Sequence, residues 1–184
     1  MNFTASRRQR GFTDSRRQRG FTILELLAVL VIGIVVVALA AAGIGRAFAS
    51  NEANTESRNI NELITNIQTL KGRAGYPADI VPVLISSDGL PGNYVVDSGA
   101  VSNSWDGAVT VAGNGNSFTI TYNNVPDPAC MTIGTRLAEA AAVQVTVNAT
   151  VLGPQNASAD AAANCNADDS NVIVFTHNPP AAVT

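Results

Sequence analysis

"RGFTILELLAVLVIGIVVVALAAAGIGRAFAS", residues 19–50, decides how this chain is read. From Leu26 to Gly45 it holds 20 consecutive residues with no charged or strongly polar side chain. That matches the ~20 residues a helix needs to cross a ~30 Å hydrocarbon core. One acid, Glu25, stands at the head of the run. A carboxylate within a membrane helix costs about 2–3 kcal/mol on insertion scales, so an acid in that position points to a function and a partner.

Working outward, the run is preceded by a basic segment. Residues 1–20 carry six arginines (Arg7, Arg8, Arg10, Arg16, Arg17 and Arg19) against one acid, Asp14, for a net +5. Residues 21–184 carry five bases and thirteen acids, for a net −8. Positive charge before the apolar run and little after it predicts a cytoplasmic N-terminus and an exported remainder. An acidic exported part argues against general nucleic-acid binding, which needs a basic surface. The 14% of charged residues against 46% hydrophobic ones reflects this one apolar run more than an unusual core.

The run is longer than the 7–15 apolar residues of a secretory signal, although "AAAGIGRAFAS" holds a possible cleavage site near Ala49. Two features favour retention: Glu25, and a helical pattern that continues past Ser50. Ile60, Leu63, Ile64, Ile67 and Leu70 fall on one helical face, with polar residues between them. With no proline before Pro77, and Gly72, Gly75 and Pro77 as the stop, one helix is predicted from about Thr22 to about Arg73. Such a helix spans roughly 75 Å. Gly33, Gly43 and Gly45 each weaken it by about 1 kcal/mol, or permit bending and close helix–helix approach.

The residues "RGFTILELLAVLVI" resemble the class III leader and mature start of the type IV prepilins. The resemblance implies cleavage by a prepilin peptidase between Gly20 and Phe21, N-methylation of Phe21, and an assembly role for Glu25, fifth residue of the mature chain. In assembly, Glu25 of one subunit would neutralise the Phe21 amine of the next. It also explains a duplication. "SRRQRGFT" occurs at residues 6–13 and again at 15–22, and only the second copy runs into an apolar segment. The first Gly11–Phe12 pair has Arg16 at the glutamate offset and is read as a duplication without a separate role.

Beyond Tyr76 a compact α+β head is predicted. A short helix over about 80–87, with Asp79 as its cap, precedes a strand in "GNYVVD". "GAVTVAGNGNSFTITYN" reads as a hairpin turning at "GNGN", and a helix is predicted from about Met131 to Ala141. "AVQVTVNATV" reads as one strand with Val143, Val145, Val147 and Val151 on one face, and "NVIVFTH" as a central strand. "LGPQNASADAAANCNADDSN" reads as a polar, mobile loop unless Cys165 ties it down. Cys130 and Cys165 are the two cysteines; an oxidising compartment favours a disulfide, and two buried free thiols are the alternative. The predicted fold is a long N-terminal helix, its apolar half protruding, packed on a four- to five-stranded antiparallel sheet: the pilin plan. Its predicted segments are a cleaved leader 1–20, an apolar half 21–49, an amphipathic half 50–75, and a head 76–184 with a disulfide-bounded C-terminal region. "SNSWDGAVTV" and "VPDPACMTI" look like the type IVb group, while Phe21 is more usual as the first residue of the type IVa group.

No catalytic constellation, phosphate loop, metal site or cofactor motif emerges. His177, the single histidine, reads as a strand-end surface residue, Trp105 as a packing residue at a loop, and "ADDSN" lacks the acid spacing of a calcium loop. The expected function is a structural subunit of a type IV pilus, most simply the major one. It would be held in the inner membrane as precursor and extracellular once assembled. Its expected partners are its own copies, the prepilin peptidase, the inner-membrane assembly machinery and an outer-membrane secretin. The alternatives are a minor pilin or secretion pseudopilin, or a membrane-tethered adhesin that does not polymerise.

Overall fold

The computed structural model describes residues 22–140 and 143–178. The chain divides into two compact units, residues 1–42 and 43–184, with the boundary inside helix α1 (Ile23–Thr69). In the first unit every described residue from Thr22 to Ala40 is exposed, including Leu24 at 80% and Val37 at 68%. Ile23–Ala40 is long and apolar enough to cross a membrane.

In the second unit α1 presents the face that its spacing predicts. Ile60, Leu63, Ile64 and Ile67 are buried, and Leu70 packs at the margin. The helix stops four residues before the predicted Arg73, where the Leu70 N–H bonds to the Ile67 carbonyl in a tightened last turn. The buried face also extends further back than the apolar residues suggest, through Ala53, Glu56 and Ser57.

The sheet has seven antiparallel strands, not four or five: β1 (Val95–Asp97), β2 (Ala100–Ser102), β3 (Ala108–Asn114), β4 (Ser117–Val125), β5 (Gln144–Val147), β6 (Thr150–Val151) and β7 (Asn171–His177). Their order is β1-β2-β3-β4-β7-β5-β6, so "NVIVFTH" is central, as read from its sequence. The undercount has a local cause. Three connections are two-residue turns, Ser98–Gly99, Gly115–Asn116 and Asn148–Ala149. The first and third have both residues at positive φ, a geometry that matches the twist of paired strands. The third turn splits the single predicted strand "AVQVTVNATV" into β5 and β6. Val151 therefore pairs with Thr146, lies on the outer face, and is 51% exposed instead of joining Val145 and Val147 in the core.

Three helices complete the head. Helix α2 (Val81–Ser86) lies within the predicted 80–87 span; Asp79 Oδ1 accepts the Val81 N–H at 3.2 Å from just outside the first turn. Helix α3 (Asp127–Glu139) begins four residues before the predicted Met131, because Pro128 sits in the first turn, where no N–H is needed; the predicted end at Ala141 lies outside the described residues. Helix α4 (Ala157–Asn164) occupies what reads as a mobile loop. It buries only Ala157 and Ala161, a face too small to stand out in an Ala-rich stretch.

The core gathers Ile60, Leu63 and Ile67 of α1 with Val109 and Val111, Phe118, Ile120 and Tyr122, Val145 and Val147, and Ile173 and Phe175 from alternate positions of β3, β4, β5 and β7. Edge-to-face pairs knit it: Tyr76 on Phe118 at 5.1 Å, Tyr94 on Tyr122 at 6.4 Å and Tyr122 on Phe175 at 5.8 Å. Trp105 packs on the core margin as expected. His177 ends β7 as expected, yet it is half-buried and stacks on Phe118 at 4.9 Å.

Beyond its short pairing with β2, the edge of β3 is covered by the segment after α1. Tyr76 bridges to Gly115 and Asp79 to Ala112, and the Gly113 N–H bonds to the Ala78 carbonyl at 3.2 Å. A Cβ on Gly113 would lie 2.1 Å from the Pro77 carbonyl oxygen, a backbone atom that cannot rotate away. Gly113→Ala is expected to destabilise the head by about 3 kcal/mol as an overpacked site. Thermal unfolding of the variant checks this; an unchanged midpoint would remove the claim that this backbone crossing is tight.

Candidate functional site

The site read from sequence is the start of α1. Thr22 lies just outside the helix, and its Oγ1 accepts the Glu25 backbone N–H at 3.3 Å, while its carbonyl accepts the Leu26 N–H at 3.0 Å. Thr22 thus caps one of the donors that a helix start leaves open. The pattern Thr22-Ile23-Leu24-Glu25 has the spacing of a capping box, a signal the sequence carried for a residue not singled out there. Glu25 is in the first helical turn, where an acid also complements the helix dipole. Its neighbours Ile23, Leu24 and Leu26 are 79%, 80% and 60% exposed, so the carboxylate sits in an uncovered apolar surface. Gly20 and Phe21 lie outside the described residues, as does the leader with its duplicated tag.

The second predicted feature is formed. Cys130 in α3 and Cys165 at the C-terminal end of α4 are disulfide-bonded, with Cα atoms 5.8 Å apart. Both are buried, and the Cys165 N–H continues α4 by bonding to the Ala161 carbonyl at 2.8 Å. The bond therefore fastens one helix to the end of another rather than restraining a loose loop. The "ADDSN" segment closes the same end of the head. The Asp127 N–H bonds to Asp169 Oδ1 at 2.9 Å, and the fully buried Asn171 donates to Asp127 Oδ1 at 2.6 Å and to the Val125 carbonyl at 3.0 Å. These carboxylates serve hydrogen bonds, and among the described residues no cluster of His, Cys, Asp and Glu could hold a metal ion.

Glu56 went unnoticed in the sequence. It stands four residues before Ile60 on the buried face and is fully buried. Its Oε2 accepts from Asn59 Nδ2 at 2.9 Å and from Ser104 Oγ at 3.0 Å. Burial pushes its pKa up, more strongly than its hydrogen bonds lower it. The available signal was its place in the stripe, an acid at a helical core position.

A family model described as the prokaryotic N-terminal methylation motif matches residues 15–41, taking in the second "SRRQRGFT" and leaving the first outside. A second model, described as PilS N terminal, matches residues 50–178, well over half of the chain. The chain belongs to the PilS family of type IV prepilins. Among solved structures this prepilin is similar to the NMR structure of Type IVb pilin (PilS) from Salmonella typhi. The two are 28% identical over 68% of this chain and 95% of that one, with a TM-score of 0.47. No curated protein matches it. Membership makes this prepilin a pilus subunit carrying a methylation motif ahead of an apolar helix. The family is structural, built on self-assembly into pili and on processing by a prepilin peptidase.

Proposed function

We propose that this prepilin is the major structural subunit of its pilus, and that Glu25 sets the contact between subunits. The observation that carries the reading is an acid in the capped first turn of a helix whose next fifteen residues are apolar and exposed. Cleavage between Gly20 and Phe21 leaves a cationic amine four residues from that acid, and N-methylation keeps it cationic. Neither charge is tolerated alone in lipid or in a dry filament interior, so each pairs with its counterpart on an adjacent subunit. The pairing sets the axial offset, and contact between the apolar segments supplies most of the cohesion. A repeated contact of this kind that does not close generates a helical filament.

On this reading residues 1–20 are the leader, 21–49 the membrane and assembly half, 50–75 the amphipathic half, and 76–184 the displayed head. The precursor waits in the inner membrane with residues 1–20 cytoplasmic and the head periplasmic, as the charge asymmetry favours. Inner-membrane assembly machinery and an outer-membrane secretin then deliver the filament to the cell exterior.

The test is mass spectrometry of sheared surface filaments, with electron microscopy of the same material. Of the 184 residues, removal of the first 20 leaves a chain of 164 beginning at methyl-Phe21. This chain should dominate the sheared fraction. A trace amount beside a more abundant pilin would make it a minor subunit. An intact leader, or a soluble product trimmed near Ala49, would defeat the reading.

A further inference from the structure

The β1–β2 hairpin is the least anchored part of the sheet. It pairs with β3 through two positions, Val101↔Val109 and Ser102↔Ala108, and among the described strands β1 pairs with β2 alone. Val95 and Val96 on β1 are 59% and 44% exposed. The hairpin is followed by the buried Asn103, whose Nδ2 donates to the Asn123 carbonyl of β4 at 2.9 Å and whose Oδ1 accepts the N–H groups of Trp105 and Gly107 in the loop before β3. The segments at both ends of the hairpin converge on one acid of α1. Glu56 Oε2 accepts from Ser104 Oγ on one side and from Asn93 Nδ2, at 3.5 Å, on the other, and Asn93 and Ser104 bond to each other at 3.4 Å. Next to Asn93, the Tyr94 hydroxyl meets that of Tyr122 on β4.

We propose that Glu56 is a pH-responsive latch that holds the β1–β2 hairpin on helix α1, closing it in acid and loosening it as the pH rises. Closed, the carboxyl is out of water and its Oε1 has no partner among the described residues. The groups that face it are neutral: Asn59 from α1, Asn93 and Tyr94 from the segment before β1, Ser104 from the segment after β2, with Tyr122 of β4 behind Tyr94. Burial first, then Glu56 and last Glu62 push the Tyr94 phenol up and keep it protonated. Burial raises the Glu56 carboxyl above its ordinary value of 4.5, whereas in an opened hairpin it meets water and returns to that value. The closed state thus binds its proton more tightly than the open one. Latching is complete below the ordinary value and declines as the pH climbs from there through the raised value.

Amide hydrogen exchange on the full-length chain in detergent micelles, corrected for intrinsic rates, tests this between pH 4 and 8. The opening constant of the amides of residues 95–102 should rise with pH, by up to tenfold for each unit by which the carboxyl stands above 4.5. The amides of β4 and β7 should hold steady over the same range. Glu56→Gln, neutral at every pH, should give a flat profile, and Glu56→Ala should open the hairpin at all pH values. A flat profile in the unaltered chain, an unchanged slope in Glu56→Gln, or β4 and β7 opening together with the hairpin would overturn the proposal.

Discussion

Glu25→Ala is expected to abolish filaments while leaving the chain in the membrane. Insertion should be unchanged or slightly favoured, since the substitution removes a cost of about 2–3 kcal/mol for an acid at the head of the apolar span. Assembly should fail because the amine of each Phe21 loses its partner yet still has to enter a dry contact. Breaking a buried pair by removing one member costs about 3–5 kcal/mol. At roughly 1.4 kcal/mol per decade, the association constant of every contact falls by about 10²–10⁴, and a polymer compounds that loss along its length. Sheared filaments should therefore vanish from electron micrographs while the variant remains in the alkali-washed membrane fraction. Normal filaments would end the pairing model. Loss from the membrane would show instead that Glu25 serves insertion.

Removing the disulfide should have the largest effect on the head itself. Cys130 and Cys165 are 35 residues apart in sequence, and a closed loop of that length contributes about 4 kcal/mol in the chain-entropy model. For a head of this size that corresponds to a fall of roughly 15 °C in the unfolding midpoint. The bond also fixes α4, which buries little apolar area to hold itself in place. A Cys130→Ser, Cys165→Ser double variant should therefore lose exchange protection in α4 first, and reduction of the unaltered chain should mimic it. A midpoint within a few degrees of the parent would show that α3–α4 packing around Gly134 and Ala161 suffices without the bond.

What could be read from the sequence was what repeats. The stripe from Ile60 to Ile67 and the alternation in β3, β4 and β7 are long enough to carry a period, and each element lies where its period put it. Short or weakly contrasted elements escaped: β2 has three residues, β6 two, and α4 hides its face among alanines. The Asn148–Ala149 turn escaped for another reason, since Ala149 adopts φ +71°, a conformation its side chain disfavours and tertiary pairing imposes. At the functional end, Glu25 stood out because an acid in an apolar run is costly. Glu56 did not, because an acid among Asn, Ser and Thr residues on a soluble helix looks solvated until the fold covers it.

The strand order has a consequence for biosynthesis. Asn171–His177 is made after every other described strand, yet it lies between β4 and β5 and is the only link joining the two halves of the sheet. A chain emerging from a ribosome or threading a translocon can form β1 to β4 as one ribbon and β5 with β6 as another, but it cannot join them until residue 177 is free. The complete sheet therefore closes in one late step, after β1 to β4 and β5 with β6 have been made.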